Sequence, residues 1–220
     1  GFRQRAYSDA PMDVPGLNAE GLKSYQWSGL RWALEAGKGI VAADVGLGKT
    51  ARGLILARML KVTGRARRPM IVVPKSVLAN WLEEAGKWFP GANVMVIGET
   101  YTRDKNGALK GRQDSAAERN RKFHDITQND YDFILISQPA WNDLDLDPET
   151  KAKYLDDDFW VQRGDSLGNA GDKRTKQIRE RYEQHMAGRD FERRSDAIWF
   201  NDLGVDAIIA DEMHAYKNLY

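Results

Sequence analysis

The chain has 220 residues, of which 42% are hydrophobic, and its 33 basic and 32 acidic side chains leave a net charge of +1. This length can bury one sizeable core, and the balanced charge gives no general attraction to nucleic acid. The absence of cysteine excludes disulfides and thiolate metal sites, and no apolar run approaches the about 20 residues that a membrane helix requires.

The chain is expected to begin with an irregular segment and then a helix. Residues 1–21 are rich in proline and glycine and predict a leading segment rather than a domain. Apolar residues then recur at helical spacing over 22–34, and the glycines within 37–39 predict the end of that helix. We therefore expect the folded lobe to occupy residues 22–220.

A glycine-rich turn follows the apolar run 39–42 and precedes another helical segment. Glycines adopt backbone conformations that a Cβ forbids, so N–H groups of such a turn can close on phosphate oxygens at the positive end of the next helix. Lys49 would contact the β- and γ-phosphates, and Thr50 a Mg²⁺ ion. Taken alone, the turn also fits a plain strand-to-helix connection, because Ala43 stands where the full P-loop pattern has glycine. The residues predicted to bind nucleotide here are Gly46, Leu47, Gly48, Lys49, Thr50 and Ala51.

Buried strands and amphipathic helices alternate through the middle of the chain. Ser76 is a candidate N-cap for a helix whose apolar stripe contains Trp81 and Trp88, which are predicted as core residues rather than platforms for stacking bases. The middle of the polar stretch 100–128 is predicted to be helical. The alternation predicts an α/β fold with a mostly parallel, doubly wound sheet. The predicted strands are 39–42, 70–73, 93–97, 132–136 and 205–210.

The alternation stops between residues 137 and 202, where polar residues dominate. Asp147-Pro148-Glu149 is a typical helix start, and a second thin apolar stripe follows from residue 172. Because a structureless loop of this length is unusual inside a compact domain, we predict a helical hairpin inserted at about 141–202.

An acidic pair, Asp211-Glu212, stands directly at the carboxyl end of the last predicted strand. Open α/β sheets place their chemistry at this edge. Two adjacent carboxylates are costly to hold together without a cation, so Asp211 would hold Mg²⁺ and Glu212 would polarise the attacking water. An isolated acidic pair is usually a solvated loop, but its position after a buried strand and downstream of a P-loop favours the catalytic interpretation.

Four motifs in this order resemble the first RecA-like lobe of superfamily 2 DExH helicases and translocases, and especially the remodeller-like, SWI/SNF-type branch. The resemblance implies an ATP hydrolase that uses ATP and Mg²⁺, with Lys49, Asp211 and Glu212 catalytic and Thr50 and Asp211 on the metal. It further implies that Gln26 binds the adenine and that His214 couples the nucleotide site to a nucleic-acid site. The motifs are Tyr25-Gln26, 46–50, Asn80-Trp81-Leu82-Glu83-Glu84, and 211–214 followed by Lys217-Asn218.

The same resemblance implies a DNA partner, with duplex DNA favoured, bound through its backbone. Pro74-Lys75-Ser76 stands where the family has a motif that follows the nucleic-acid backbone, so Lys75 and Ser76 are candidate phosphate contacts. Ser137, at the tip of the strand 132–136, is a weaker candidate. Each of these residues could instead be a plain capping residue.

Two departures from the remodeller pattern favour a divergent branch. Asp44-Val45-Gly46 is one residue shorter than usual, and Met213 stands where the DExH box normally carries alanine. With the insertion, these differences favour large phage- or plasmid-borne proteins that join helicase and DNA-methyltransferase parts. We therefore expect a fused or associated methyltransferase as a partner.

The chain ends at Tyr220, before the motifs of a second RecA-like lobe, which is expected elsewhere in the same polypeptide. An arginine finger from such a lobe accelerates phosphoryl transfer about 10³- to 10⁵-fold, so these residues alone should bind ATP weakly and hydrolyse it negligibly. The absence of cysteine favours an intracellular protein, cytoplasmic in a bacterial or phage setting, without a membrane partner.

The leading hypothesis is the ATP-binding lobe of a DNA helicase or translocase that couples hydrolysis to movement along DNA. The alternative is a non-catalytic docking module that binds a protein partner through the inserted hairpin. The presence of Lys49, Thr50, Asp211 and Glu212 counts against that alternative, because a vestigial site has no reason to keep every catalytic residue type.

Overall fold

The computed structural model describes residues 7–40, 46–147, 150, 180 and 198–212. The chain divides into two compact units, one of residues 1–143 and 203–212 and the other of residues 144–202 and 213–220. Most of the predicted insertion lies outside the described residues and stays a prediction. Within the described part, no helix combines the length and the apolar character that crossing a membrane demands.

Among its described residues, the first unit contains a parallel sheet of four strands in the order β2-β5-β1-β6, and β3 and β4 form a separate antiparallel hairpin. Both β1 and β5 consist of residues that are all buried, as central strands of a parallel sheet require. The prediction of an α/β fold with a mostly parallel sheet is therefore confirmed. In chain order the strands are β1 Pro69–Val73, β2 Val94–Ile97, β3 Glu99–Arg103, β4 Leu109–Gln113, β5 Phe133–Ser137 and β6 Ala207–Ala210.

The helices pack on this sheet through one hydrophobic core. Helices α2 and α3 contact β1 and β5, and their buried residues include Leu54, Ile55 and Leu78. Helix α1 lies against α2 and ends at Gly37, whose left-handed φ of 67° matches the predicted stop. The helices are α1 Ser24–Ala36, α2 Lys49–Val62, α3 Leu78–Trp88, α4 Ala116–Gln128 and α5 Gln138–Asn142, with short 3-10 helices at Lys75–Val77 and Phe200–Leu203.

One local prediction is wrong, and another holds at a shifted position. Ser76 does not cap α3, because it lies inside a short 3-10 turn and Val77 occupies the N-cap position without a side-chain hydrogen bond. The helix predicted for the middle of 100–128 is present as α4 but lies nearer the end of the stretch, since the hairpin reaches Gln113 and α4 begins only at Ala116. The Asn106-Gly107 pair was a hairpin signal, but the flanking polar residues lack the apolar alternation that would have supported it.

Candidate nucleotide site

The candidate phosphate-binding turn is described from Gly46 onward, and its backbone geometry favours glycine at two positions. Gly46 and Gly48 have left-handed φ values of 83° and 70°, which residues with a Cβ adopt at a cost. Gly48 is the N-cap of α2, and Lys49 is its first residue. The first turn of α2 carries no acidic residue, so its N–H groups and positive dipole end favour an anion.

The acidic pair lies beside this helix start. The Lys49 Nζ is 4.0 Å from Glu212 Oε1, and the two side chains are 35% and 41% exposed. Residues that are far apart in the sequence therefore meet at the carboxyl edge of the sheet. An ammonium and a carboxylate at this separation form an ion pair, and because both are reachable from solvent, both can contact one bound nucleotide.

Backbone geometry separates the directions of the two carboxylates. Glu212 has a left-handed φ of 52°, which among the described residues no other non-glycine shares. Such a conformation costs about 1–3 kcal/mol and persists where the surrounding structure fixes it. As a result Asp211 faces Trp81 while Glu212 faces Lys49, although the two residues are adjacent.

Asp211 is held by three hydrogen bonds. Its backbone N donates to Val72 O at 2.8 Å, its Oδ1 accepts from Glu212 N at 3.0 Å, and its Oδ2 accepts from Trp81 Nε1 at 3.2 Å. These bonds fix the carboxylate at the end of β6. Oxygen ligands such as the Thr50 hydroxyl and the Asp211 carboxylate suit Mg²⁺, which binds through one or two protein groups together with substrate phosphates.

Trp81 contacts the candidate site in a way that periodicity did not reveal. Its side chain is 2% exposed, so the prediction that it belongs to the core is confirmed. The indole also packs against α2, where a Cβ at Gly53 would lie 2.6 Å from a ring carbon. Trp81 thus links α2, α3 and Asp211. The apolar stripe locates the residue in the core, but the direction of its N–H depends on the tertiary fold.

Gln26 lies next to the phosphate-binding turn. The side chain is 5% exposed, and its Oε1 accepts a hydrogen bond from Lys23 N at 2.7 Å. A Cβ at position 48 would overlap Gln26 Nε2, so any larger residue there would displace the Gln26 amide. The structure therefore places the candidate adenine-binding residue beside the candidate phosphate loop.

Arg52, in the second turn of α2, is a cation that the sequence analysis did not single out. Its Nε and Nη2 are buried without a hydrogen-bond partner in the described part of the chain, and burial lowers its pKa. An uncompensated charge this close to the helix start adds to the positive potential there, which favours an anionic ligand.

The candidate nucleic-acid contacts differ in exposure. Lys75 and Ser76 are exposed, and Lys75 Nζ donates to Gln113 Oε1 at 3.0 Å. Ser137 is 2% exposed, and its hydroxyl accepts from Ala140 N at 3.4 Å to cap α5. Ser137 thus has the capping role that was left open as an alternative, which weakens its case as a phosphate contact.

Some predicted site residues belong to stretches that the structure does not describe. His214 and Lys217-Asn218 lie outside the described residues, as does the stretch 41–45 that precedes Gly46. Within the described part, no group of three or more histidine, aspartate or glutamate side chains could hold a metal ion by itself. That is compatible with a magnesium ion that takes most of its ligands from nucleotide and water.

Comparison with known proteins gives a consistent set of matches. Residues 25–218 match the SNF2-related domain family. The chain is 28% identical to the defense against restriction protein B of Escherichia phage P1, over 97% of this chain and 11% of that protein. It is 39% identical to the ISWI chromatin-remodeling complex ATPase ISW2 of Saccharomyces cerevisiae, over 37% of this chain and 8% of that protein.

Among solved structures, the chain is similar to the Sulfolobus solfataricus SWI2/SNF2 ATPase core in complex with dsDNA. The two are 26% identical with a TM-score of 0.38, and the match covers 57% of this chain and 23% of the other. The chain spans only about a tenth of the length of the two curated relatives, namely 11% of the phage protein and 8% of ISW2.

Proposed function

Because the chain belongs to the SNF2-related domain family, a family of ATPases, we propose that it is the ATP-binding lobe of a motor that moves along DNA. Family membership confirms the resemblance to remodeller-type ATPases, and the phage relative agrees with the expected phage-borne branch. The single observation that carries the proposal is the approach of Lys49 Nζ to Glu212 Oε1 at 4.0 Å.

In this proposal each residue of the candidate site has a defined task in ATP hydrolysis. The N–H groups at the start of α2 bind phosphate oxygens, and Lys49 neutralises charge on the β- and γ-phosphates. Thr50 and Asp211 would hold Mg²⁺, which supplies further neutralisation of the phosphate charge when bound. Glu212, whose carboxylate lies beside Lys49, would orient the water that attacks the γ-phosphate. Phosphoryl transfer depends mainly on such positioning and charge stabilisation.

Adenine binding, DNA binding and the coupling of hydrolysis to movement involve other residues and a second lobe. Gln26, beside the phosphate loop, would hydrogen-bond the adenine edge, since an amide both donates and accepts. Lys75 and Ser76 would bind the DNA backbone at the carboxyl edge of the same sheet. A second RecA-like lobe would supply an arginine finger and close on the nucleotide, so that hydrolysis drives a change in lobe spacing and a step along DNA.

The proposal is tested by titrating the 220-residue chain with a fluorescent ATP analogue and Mg²⁺. We expect Lys49→Ala to weaken binding about 10- to 100-fold, because a hydrogen bond to a charged group is worth about 1.5–3 kcal/mol. Lys87→Ala is the matched control, since Lys87 is an exposed lysine on α3 paired with Glu84. Equal binding by wild type and Lys49→Ala would overturn the proposed site, and no binding at millimolar nucleotide would favour the docking-module alternative.

A further inference from the structure

The β3–β4 hairpin leaves the parallel sheet at the edge that carries the candidate site. β2 ends at Ile97, Gly98 turns with a φ of 103°, and β3 begins at Glu99. Because the four sheet strands are parallel, this end of β2 lies at the same edge as Lys75 after β1 and Asp211 after β6. The hairpin therefore rises from the side of the sheet where the nucleotide and DNA contacts are proposed.

A buried ion pair anchors the base of the hairpin. The Asp114 side chain has no exposed surface, and both of its oxygens accept hydrogen bonds from Lys122 Nζ, at 2.8 and 2.9 Å. The same carboxylate accepts from Gly98 N at 2.8 Å and from Thr100 Oγ1 at 2.7 Å. An isolated two-stranded hairpin is marginally stable in water, so this network, together with the packing of Tyr101 of β3 against the hydrophobic core, holds β3 and β4 in a fixed position.

The outer part of the hairpin is cationic and exposed. Residues 102–112 contain four cations and one acid, a net charge of +3 in a chain whose total is +1. Asp104 lies 3.8 Å from Lys110, and Glu118 pairs with Arg112 at 2.6 Å, yet these two cations remain 73% and 62% exposed. None of the large hydrophobic side chains that are exposed in the described residues belongs to the hairpin. The surface therefore suits a polyanion better than an apolar protein interface.

Lys75 connects the hairpin to the proposed DNA contacts. Its Nζ donates to Gln113 Oε1 at 3.0 Å and lies 3.7 Å from Glu99 Oε1, so it touches both strands at their base. The cations of the hairpin thus continue outward from the candidate phosphate contact. Duplex DNA carries one negative charge per about 1.7 Å of its axis, which a line of cations of this kind can match.

We propose that the β3–β4 hairpin is a second contact to the DNA backbone, in which Arg103, Lys105 and Lys110 bind phosphates beyond those reached by Lys75. This inference rests on the proposed function, because it requires that DNA lie along the carboxyl edge of the sheet. The inference adds that the anchored, positively charged hairpin lengthens the stretch of duplex that the protein contacts.

The test measures binding of a labelled duplex to the 220-residue chain by fluorescence anisotropy at several salt concentrations. Lys105→Gln and Lys110→Gln should each weaken binding about threefold, and together about tenfold. The slope of log affinity against log salt should fall by about 0.9 for each lost phosphate contact. The matched control is Arg67→Gln, which removes an exposed charge just before β1, at the opposite edge of the sheet, and should leave the slope unchanged.

The outcomes separate this inference from the proposed function. If Lys75→Gln weakens binding while the double hairpin variant keeps the wild-type affinity and slope, the hairpin inference is wrong and the motor proposal stands. If the wild-type chain binds no duplex, the hairpin inference and the proposed DNA track both fail. A lower affinity with an unchanged slope would indicate an indirect structural effect and would also overturn the inference. Thermal melts of each variant, followed by circular dichroism, show that the fold is retained.

Discussion

The nucleotide site and the β3–β4 hairpin stand at the same edge of the sheet but are held in place by different means. The nucleotide site takes its rigidity from the hydrophobic core, since Asp211 follows a sheet strand and hydrogen-bonds the buried Trp81. The hairpin has no core of its own; of its described residues only Tyr101 reaches the main core, and the polar network around Asp114 is its principal anchor. A substitution in one element should therefore leave the other intact. Loss of packing should disorder the nucleotide site, and loss of charge pairing should disorder the hairpin.

The largest expected effect comes from Asp114→Asn, which leaves Lys122 without its buried partner. Removing one member of a buried ion pair costs about 3–5 kcal/mol, and the partial exposure of Lys122 places this case near 3 kcal/mol. Urea denaturation measures the loss, and amide hydrogen exchange should show lower protection over 99–113. Affinity for Mg²⁺-ATP should stay at the wild-type value, because none of the anchoring bonds reaches the nucleotide site.

The control for that variant is Lys110→Gln, which removes an exposed cation from the same hairpin. Exposed pairs contribute about 0–1 kcal/mol, so its stability should change little. If Asp114→Asn kept full protection of the hairpin amides, the polar network would not be the anchor. If it lost nucleotide affinity as well, the two elements would be coupled and the comparison would break down.

The next effect in size separates two tryptophans of α3. Trp81→Phe removes the hydrogen bond to Asp211, and Trp88→Phe removes a comparable bond to Glu84 on the same helix. Each variant should lose about 1.5–3 kcal/mol of unfolding free energy, the usual value for a hydrogen bond to a charged group. Only Trp81→Phe should also lower the affinity for Mg²⁺-ATP, by about tenfold, as expected when the partner of a metal-binding carboxylate is lost.

Nucleotide titrations at fixed Mg²⁺, beside urea denaturation, measure both quantities for the pair of variants. Equal nucleotide affinity in Trp81→Phe and Trp88→Phe would show that the indole only fills space. The nucleotide site would then not depend on the core in the way that the geometry indicates.

The elements that depend on a pattern of neighbouring residues could be predicted from the sequence. Those that depend on contacts between residues far apart in the chain were missed. The run Met70-Ile71-Val72-Val73 and the turn at Gly46 and Gly48 carry their signals in consecutive residues, so the strand and the glycine turn before α2 were placed correctly, while phosphate binding by that turn stays a prediction. The β3–β4 hairpin was missed because its strands have no apolar face. The bond from Trp81 to Asp211 joins α3 to the end of β6, and no periodicity records it.

The smallest expected effect concerns the junction of the hairpin with α4. Glu118 accepts two hydrogen bonds from Arg112 and one from Ser115 N, and these bonds hold the pKa of its carboxyl well below the ordinary range. Since the folded-state pKa is depressed, the pairing stabilises the protein above the pKa of the unfolded state and is lost as the pH falls toward the folded-state value.

In Arg112→Gln the pKa of Glu118 should rise toward its ordinary value of about 4.3, because the hydrogen bonds from the Arg112 guanidinium are removed. A carbon-detected NMR titration of the Glu118 carboxyl measures the change, and Lys110→Gln, which removes a neighbouring cation not bonded to Glu118, is the control. The melting temperature at neutral pH should hardly differ, since exposed ion pairs contribute little. An unchanged Glu118 pKa in Arg112→Gln would mean that the capping bond at Ser115 alone sets it. The exposed pair of Arg112 and Glu118 would then make no contribution to the rigidity of the hairpin base.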